Sequence, residues 1–270
     1  MNRWMKNVAA VGFLVIFLPY TVTLLLNGRQ GIHREEELPE LEYQVLSCMM
    51  QEDYSWMEEG TLTLMAILYR TECVRTGKTA YADLSSEVYD KSYGRMYDAV
   101  VQTKGQVITV GGEYKELPYH AVSSGRTRAG ALLGEEYTYV LSADCPYDRE
   151  SENYLHTYLI PEENLGEILG ADFDPENAVL ERDDADYVSY ITAVDQTWQG
   201  EAFRSLLHLP SSCFQMSTDR TQNAVRITVK GSGHGFGLSL YTADRMVRDG
   251  ADLTEIIQKF YQEAICITIP

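Results

Sequence analysis

The chain has 270 residues, 45% of them hydrophobic, and a formal net charge of -18. This is enough apolar material for a buried core, which excludes a disordered chain. Nucleic-acid binding is excluded as well, because phosphate contacts need clustered Lys and Arg.

The N-terminal segment predicts a membrane anchor. Residues 8–27, VAAVGFLVIFLPYTVTLLLN, carry no charge, and about 20 such residues match a hydrocarbon thickness of about 30 Å. A cleaved signal peptide is the alternative, but its apolar region spans only about 7 to 15 residues. Because Arg3 and Lys6 precede the span, residues 1–7 are expected in the cytoplasm. We therefore expect a single-pass protein of the cell membrane, with a linker at residues 28–38 and an extracytoplasmic domain at residues 39–270.

The exported part predicts interspersed helices and strands. An apolar stripe predicts a helix over residues 58–75, and the Gly111-Gly112 pair predicts a β-hairpin turn. Further strands are predicted at residues 136–142, 187–194 and 225–230, and helices at 161–169, 239–249 and 253–262. No regular β-α-β period is present, so we expect a single mixed domain of the α+β class with a central cleft.

The five cysteines show no metal-ligand or C-x-x-C spacing; they are Cys48, Cys73, Cys145, Cys213 and Cys266. An exported domain permits a disulfide, but the odd, scattered set is more typical of buried free thiols, and no pairing is assigned.

One segment carries a specific pattern: glycines at 231, 233, 235 and 237 surround His234 ahead of a predicted helix. It matches neither the P-loop nor the dinucleotide-binding glycine pattern. The stretch KGSGHGFGLSLYTADRMVRDG instead resembles the C-terminal signature of the stage II sporulation protein D family. Two more blocks resemble that family in the same order: TLTLMAILYRT, and the serine-glycine block AVSSGRTRAG.

The resemblance implies a sporulation-associated, membrane-anchored lytic transglycosylase that cleaves peptidoglycan glycan strands during engulfment of a forespore. It implies glycan strands as the substrate, the membrane and an engulfment complex with a peptidoglycan amidase as partners, and no cofactor. Some family members hold zinc near the residues aligned with 84–94. Cys and His ligands are missing there in this chain, so no metal site is predicted.

The family's catalytic Glu precedes the first helix block, and this chain departs from the pattern there. The sequence reads CMMQEDYSW, which puts Gln51 in the acid position and Glu52 one residue along. Gln cannot donate and recover a proton, so either Glu52 is the catalytic acid or the site has lost it. Glu52 and Asp53 as ordinary surface acids are the further alternative.

The resemblance also implies residues that line the cleft and bind the sugar: Arg70, Ser123, Ser124, Lys230, His234 and Gly235. Arg70 is expected to orient the acid. Two amides of the family pattern are replaced by Met65 and Leu240, which would remove hydrogen-bond partners for sugar hydroxyls. The alternative function is therefore a catalytically degenerate glycan-binding or scaffold protein.

Overall fold

The computed structural model describes residues 38–77, 91–169, 173–193 and 196–270. The predicted span at residues 8–27 and nearly all of the predicted linker lie outside these ranges. Within them, every helix is too short or too polar to cross a lipid bilayer.

One helix forms the centre of the larger apolar core. Helix α2 (Glu59–Thr76) follows α1 (Glu40–Met49), and its buried residues run through Leu62, Leu64 and Met65 rather than along a single stripe. A helix that is apolar on most sides must be surrounded. Its neighbours include α1, α3 (Lys91–Gln102) and β1 (Gln106–Val110). Gly77 ends the helix with φ 60, a left-handed conformation that favours glycine.

The remaining elements are short strands separated by helices. They are β2 (Tyr119–His120), β3 (Leu155–Pro161), α4 (Glu162–Leu169), β4 (Val179–Arg182), β5 (Val188–Ala193), β6 (Gln196–Gln199), α5 (Gly200–Leu206), β7 (Phe214–Asp219), β8 (Ala224–Lys230), β9 (Leu238–Ser239), α6 (Leu240–Arg248), α7 (Leu253–Phe260) and β10 (Ala264–Thr268).

In the described part of the chain the strands form small sheets. Antiparallel β1–β10 pairs Gln106 with Thr268, and parallel β2–β9 pairs Tyr119 with Leu238. The antiparallel three-stranded sheets have the orders β3-β8-β7 and β4-β5-β6. Helices and strands are thus mixed without a β-α-β repeat, which confirms the α+β class.

Most predicted elements occur, but two do not. The hairpin prediction is confirmed for its turn, where Val110 and Glu113 exchange backbone hydrogen bonds across the two glycines. It is wrong for the second strand, because β1 pairs along its length with the distant β10. The predicted strand at residues 136–142 is also wrong. Residues 135–137 form a 3-10 turn, and the segment contributes only an isolated bridge between Val140 and Tyr261.

The described apolar core has two main parts. The larger part packs α1, α2, α3, α6 and α7 around β1, and the other packs α4 and α5 against the three-stranded sheets. The glycine-histidine segment connects β8 of the second part to β9 and α6 of the first. This segment is therefore the stretch of chain that links the two parts of the core.

Candidate functional site

The glycine-histidine segment packs tightly against the strand that precedes the serine block. Val122 and Ser232 exchange backbone hydrogen bonds of 3.0 and 2.7 Å. Gly237 has φ 69, and a Cβ there would lie 1.8 Å from the Pro118 carbonyl oxygen. Only glycine permits such an approach. The glycines at 231 and 237 are thus explained by close contact with the protein's own backbone.

Gly235 is buried, which contradicts its predicted role as a sugar contact. Its φ is 80, and a Cβ would lie 2.4 Å from the ring of Tyr187, itself fully buried. The Gly235 carbonyl oxygen accepts a 2.8 Å hydrogen bond from the backbone N–H of Arg128. The residue allows the segment to pass over an aromatic ring and has no free surface for a ligand.

His234 is half-buried, with its ring fixed by the backbone. Its Nδ1 accepts a 3.0 Å hydrogen bond from the N–H of Phe236, and the ring also bonds to the backbone of Tyr119. Burial lowers the pKa of His234, and the Glu201 carboxylate opposes this shift. The imidazole is therefore neutral near pH 7.

A second histidine lies behind His234. His120 is buried, with its ring centroid 5.8 Å from that of His234, and its Nδ1–H donates a 3.0 Å hydrogen bond to the Phe236 carbonyl. Burial, and then the neighbouring His234, lower the pKa of His120 to about 3. Its Nε2 has no hydrogen-bond partner among the described residues, so the ring is held neutral in the interior.

Arg128 holds the segment in place from the side of the second core. Its guanidinium donates to Asp183 at 2.6 Å and to the His234 carbonyl at 3.3 Å. It also stacks 4.3 Å from the Phe236 ring centroid. Because the side chain is buried between these groups, its positive charge is paired inside the protein with the Asp183 carboxylate.

His234 opens onto a pocket of about 250 Å³. The pocket combines an aromatic and aliphatic wall with a charged rim, lined by Leu68, Tyr69, Thr71, Glu72, Lys115, Glu116, Leu117, Pro118, Tyr119 and His234. Such a mixture of apolar surface and a few polar groups is typical of small-ligand sites. Among the lining residues, only His234 had been predicted.

Tyrosine hydroxyls form a cluster at this pocket. The hydroxyls of Tyr54 and Tyr69 lie 2.9 Å apart, and the rings of Tyr69 and Tyr119 meet edge to face at 6.2 Å. Burial raises the pKa of all three hydroxyls, and the Glu52 carboxylate adds to each shift. The Glu52 carboxylate therefore acts electrostatically on these tyrosines, as one of the smaller contributions to each shift.

Gln51 and Glu52 lie in the connection between α1 and α2, and both side chains are exposed. The backbone N–H of Gln51 donates to the Cys48 carbonyl, and that of Glu52 to the Met49 carbonyl. The backbone thus holds both residues in a turn at the end of α1. Gln51 carries an uncharged amide, whereas the Glu52 carboxylate raises the pKa of the tyrosine hydroxyls.

The structure contradicts the predicted place of Arg70 at the cleft. Arg70 is 0% exposed, and its guanidinium forms a 2.5 Å ion pair with Glu42 of α1. It also donates to the carbonyls of Gln106 at 3.0 Å and Val100 at 3.1 Å. These hydrogen bonds join α1, α2, α3 and β1. The guanidinium therefore does not orient Glu52.

Ser123 is also buried and turned into the protein, which contradicts its predicted role as a sugar contact. Its backbone N–H donates a 2.7 Å hydrogen bond to Asp148, and its hydroxyl accepts from Gly125. Asp148 additionally accepts hydroxyl hydrogen bonds from Ser239 and Thr242. Burial raises the pKa of Asp148, while these donors oppose the shift. The buried carboxylate ties the serine block to the start of α6.

Ser124 and Lys230 contact two residues that are adjacent in sequence, Ala185 and Asp186. The Ser124 hydroxyl donates to the Ala185 carbonyl at 2.9 Å, and the Lys230 ammonium lies 3.4 Å from the Asp186 carboxylate. Both side chains are partly exposed. Their described partners differ from those of His234, which contacts Tyr119 and Phe236.

The replaced amides do not face a groove. Met65 is 0% and Leu240 is 5% exposed, and both belong to the larger core. The inference that these replacements cost sugar contacts is therefore wrong: both side chains contribute to packing. In the described part of the chain, no group of three or more His, Cys, Asp or Glu side chains could hold a metal ion. Most of the segment aligned with the family's zinc site, residues 84–90, lies outside it.

Sequence reasoning missed the tyrosine cluster and the buried Asp148. The chain has 19 tyrosines, so a tyrosine by itself carried no signal. Tyr69 was visible only as a member of the apolar stripe of α2. Asp148 follows the serine block in the sequence as CPYD, without a spacing that marks it.

The fold and the site define an α+β protein in which a glycine-histidine segment pairs with a serine block beside a tyrosine-lined pocket. No protein-family model matches the chain. The chain is 27% identical over 178 residues to stage II sporulation protein D of Bacillus subtilis (strain 168), covering 64% of this chain and 51% of that protein. It is 29% identical over 179 residues to the protein of the same name in Bacillus amyloliquefaciens, with the same coverage.

The chain thus spans about half the length of the curated relatives that it matches. These two similarities support a divergent member of the stage II sporulation protein D family, a sporulation-related family.

Proposed function

We propose that the chain is a peptidoglycan lytic transglycosylase that acts in sporulation, with Glu52 as its acid and base. The observation that supports this most directly is the electrostatic effect of the Glu52 carboxylate, which adds to the raised pKa of Tyr54, Tyr69 and Tyr119. Tyr69 and Tyr119 line the same pocket as His234. The motif histidine therefore shares its pocket with two of the tyrosines on which the Glu52 carboxylate acts.

The reaction needs a single carboxyl group. Glu52 would first protonate the glycosidic oxygen as the bond to the anomeric carbon breaks. The carboxylate would then accept the proton of the same sugar's primary hydroxyl, whose oxygen attacks the anomeric carbon. The product carries an anhydro end, no water is consumed, and the second carboxylate of ordinary glycosidases is not needed.

The pocket favours an uncharged part of the glycan strand. Its rim carries Glu72 and Glu116 against Lys115. Arg70 and Arg128 are buried and paired with carboxylates, so they do not offset this charge. An acidic rim repels anions, so the pocket would favour an uncharged amino-sugar ring over the free carboxylate that each muramic acid of a peptide-free strand carries.

A glycan-binding protein that does not cleave is the second candidate. Glu52 is exposed, whereas an acid that works near neutral pH needs shielding from water. Under the first proposal the bound strand supplies that shielding. Under the second, the tyrosine-lined pocket holds a sugar and no proton is transferred.

The decisive experiment incubates the purified full chain with peptide-free glycan strands and analyses the products by mass spectrometry for anhydro-muramyl ends. Glu52→Gln should lower the rate on the order of 10²–10⁴-fold, the usual size of an acid-base contribution. Glu116→Gln is the matched control, because it removes a carboxylate from the rim of the same pocket. Cosedimentation with the strands measures binding separately.

Each outcome has a distinct meaning. Strand binding without anhydro ends in the unaltered chain would establish the second candidate. If Glu116→Gln loses activity and Glu52→Gln keeps it, the proton is transferred by Glu116, and our assignment of Glu52 is wrong. Absence of both binding and cleavage would refute both candidates.

We also propose that residues 8–27 anchor the chain in the cell membrane with the folded part outside the cytoplasm. The support is the uncharged apolar run and the preceding Arg3 and Lys6. We expect the full chain to resist alkaline extraction from membranes and its C-terminal part to be cleaved by protease added to intact protoplasts. A peptidoglycan amidase is the partner that the family resemblance favours, and co-purification from detergent extracts tests it.

A further inference from the structure

A second cavity adjoins the pocket that His234 lines. It measures about 240 Å³, close to the volume of about 250 Å³ of the first pocket. Its lining includes Val110, Lys115, Thr138, Tyr139, Gln262 and Glu263. Because Lys115 lines both spaces, the two cavities meet at this side chain.

Hydrogen bonds hold the wall between the two cavities. Glu116, the residue after Lys115, accepts a 2.8 Å hydrogen bond on its carboxylate from the Tyr137 hydroxyl. Its backbone carbonyl accepts a second hydrogen bond from the Tyr139 hydroxyl. The rings of Tyr137 and Tyr139 stack with their centroids 6.3 Å apart. The wall is therefore formed before a ligand arrives, which lowers the entropy cost of binding.

The Lys115 ammonium is held by weak contacts. Its Nζ lies 5.2 Å from the centroid of the Tyr139 ring and 3.8 Å from the Glu113 carboxylate. The Lys115 and Glu113 side chains are 35% and 76% exposed, and an exposed ion pair contributes little stability. The ammonium can therefore exchange this partner for a ligand at small cost.

The second cavity combines buried apolar residues with an exposed polar rim. Val110 and Tyr139 are buried, whereas Thr138, Gln262 and Glu263 are exposed. The rim thus offers a hydroxyl, an amide and a carboxylate for hydrogen bonding. The backbone N–H of Gln262 donates a 2.7 Å hydrogen bond to the Tyr139 carbonyl, which fixes the rim to the buried part. A saccharide ring, with apolar C–H faces and polar groups around its edge, matches this arrangement.

The two cavities differ in charge. Two carboxylates, Glu72 and Glu116, lie with Lys115 at the rim of the first pocket. Among the described residues that line the second cavity, Glu263 is the one carboxylate, and it is set against the same ammonium. A peptide-free strand alternates uncharged N-acetylglucosamine with muramic acid, which carries a free carboxylate. The second cavity repels an anion less than the first pocket does, so it suits the muramic acid unit better.

We propose that the second cavity binds the muramic acid unit of a glycan strand whose adjoining N-acetylglucosamine occupies the His234 pocket, with the Lys115 ammonium paired to the muramic carboxylate. The rim groups of Thr138 and Gln262 hydrogen-bond the same unit. The choice of ligand rests on the proposed function, but binding does not require cleavage. Two linked units in adjoining cavities bind more tightly than one, because the second association is intramolecular.

The test is calorimetric titration of the full chain with two tetrasaccharides. One is a peptide-free strand fragment that contains muramic acid, and the other is the uncharged N-acetylglucosamine tetramer. Lys115→Gln should weaken binding of the first about 10-fold, the size expected for a hydrogen bond to a charged group, and leave binding of the second nearly unchanged. Mass spectrometry after each titration confirms that the ligand is intact.

A double variant, Thr138→Ala with Gln262→Ala, separates the second cavity from the first pocket, because Lys115 lines both. It should weaken binding of both tetrasaccharides. Two matched controls remove exposed residues elsewhere and should bind both ligands as the wild type does. They are Lys104→Gln, in the turn before β1, and Thr221→Ala with Gln222→Ala, in the turn between β7 and β8.

Three results would each overturn the proposal: equal losses for the two ligands in Lys115→Gln, unchanged binding in the Thr138 and Gln262 double variant, or a wild-type chain that binds neither ligand. If the wild type still produces anhydro ends from glycan strands, the proposed function survives any of them. Binding as expected without anhydro ends would instead support the second cavity and refute cleavage.

Discussion

Replacing Arg70 tests whether the residue stabilises the core or serves the cleft. Arg70→Ala would leave the Glu42 carboxylate, whose side chain is 4% exposed, with the 3.1 Å hydrogen bond from the Gly105 N–H. Breaking a buried ion pair by removing one partner costs about 3–5 kcal/mol. That is a large share of a typical unfolding free energy of about 5–15 kcal/mol.

Urea unfolding of the full chain, followed by circular dichroism, measures this loss. The double variant Arg70→Met with Glu42→Leu should recover most of it, because replacing both charges by apolar groups of similar size is often close to neutral. An Arg70→Ala chain within about 1 kcal/mol of the wild type that fails to cleave or bind glycan would refute the core role. It would restore the role that the sequence suggested.

Further predictions address the segment around the pocket. Gly235→Val should lower the free energy of unfolding by about 1–3 kcal/mol more than Gly111→Val does. Both glycines have positive φ, but only Gly235 has an aromatic ring within 4 Å, that of Tyr187. Equal losses of unfolding free energy in urea would contradict a collision with this ring. His120 has an ordinary pKa of 6.5 that falls to about 3 on folding, so the unfolded state binds the extra proton first and stability declines as pH falls from 6.5 towards 3. The slope is at most about 1.4 kcal/mol per pH unit, and His120→Gln should remove this component from pH-dependent unfolding curves. Asp148→Ala leaves buried donors without an acceptor and should lower the free energy of unfolding by roughly 3 kcal/mol or more. Asp148→Asn keeps an acceptor oxygen and should lose less. Equal stability of the two variants would argue against the hydrogen-bond network.

Local sequence signals predicted those elements whose stability is encoded locally. Helix α7 begins at a capping box of Asp252 and Glu255, and α2 ends at a left-handed glycine. These features act within a few residues of the chain. The hairpin failed for the opposite reason. The glycine turn forms, but β1 finds a better partner in β10, far away in sequence, and periodicity carries no information about such pairing.

The motif resemblance gives positions along the chain but no side-chain directions. His234 lies at a pocket, whereas Arg70, Ser123 and Gly235, which belong to the same motif blocks, are buried. A block can remain recognisable because its residues hold two segments together. The Asp148 network and the close approach of Gly237 to Pro118 are constraints of this kind.

The burial of Met65 and Leu240 changes what their difference from the family pattern indicates about the sugar site. Amides exchanged for apolar side chains in a groove would indicate a lost sugar site, but the same exchange inside a packed core only alters packing. The departures therefore bear on stability and leave the pocket unaffected. A further departure lies in the turn after α1, where Gln51 and Glu52 are both exposed. Under the proposed function, whether the chain cuts glycan or only holds it depends on the Glu52 carboxylate.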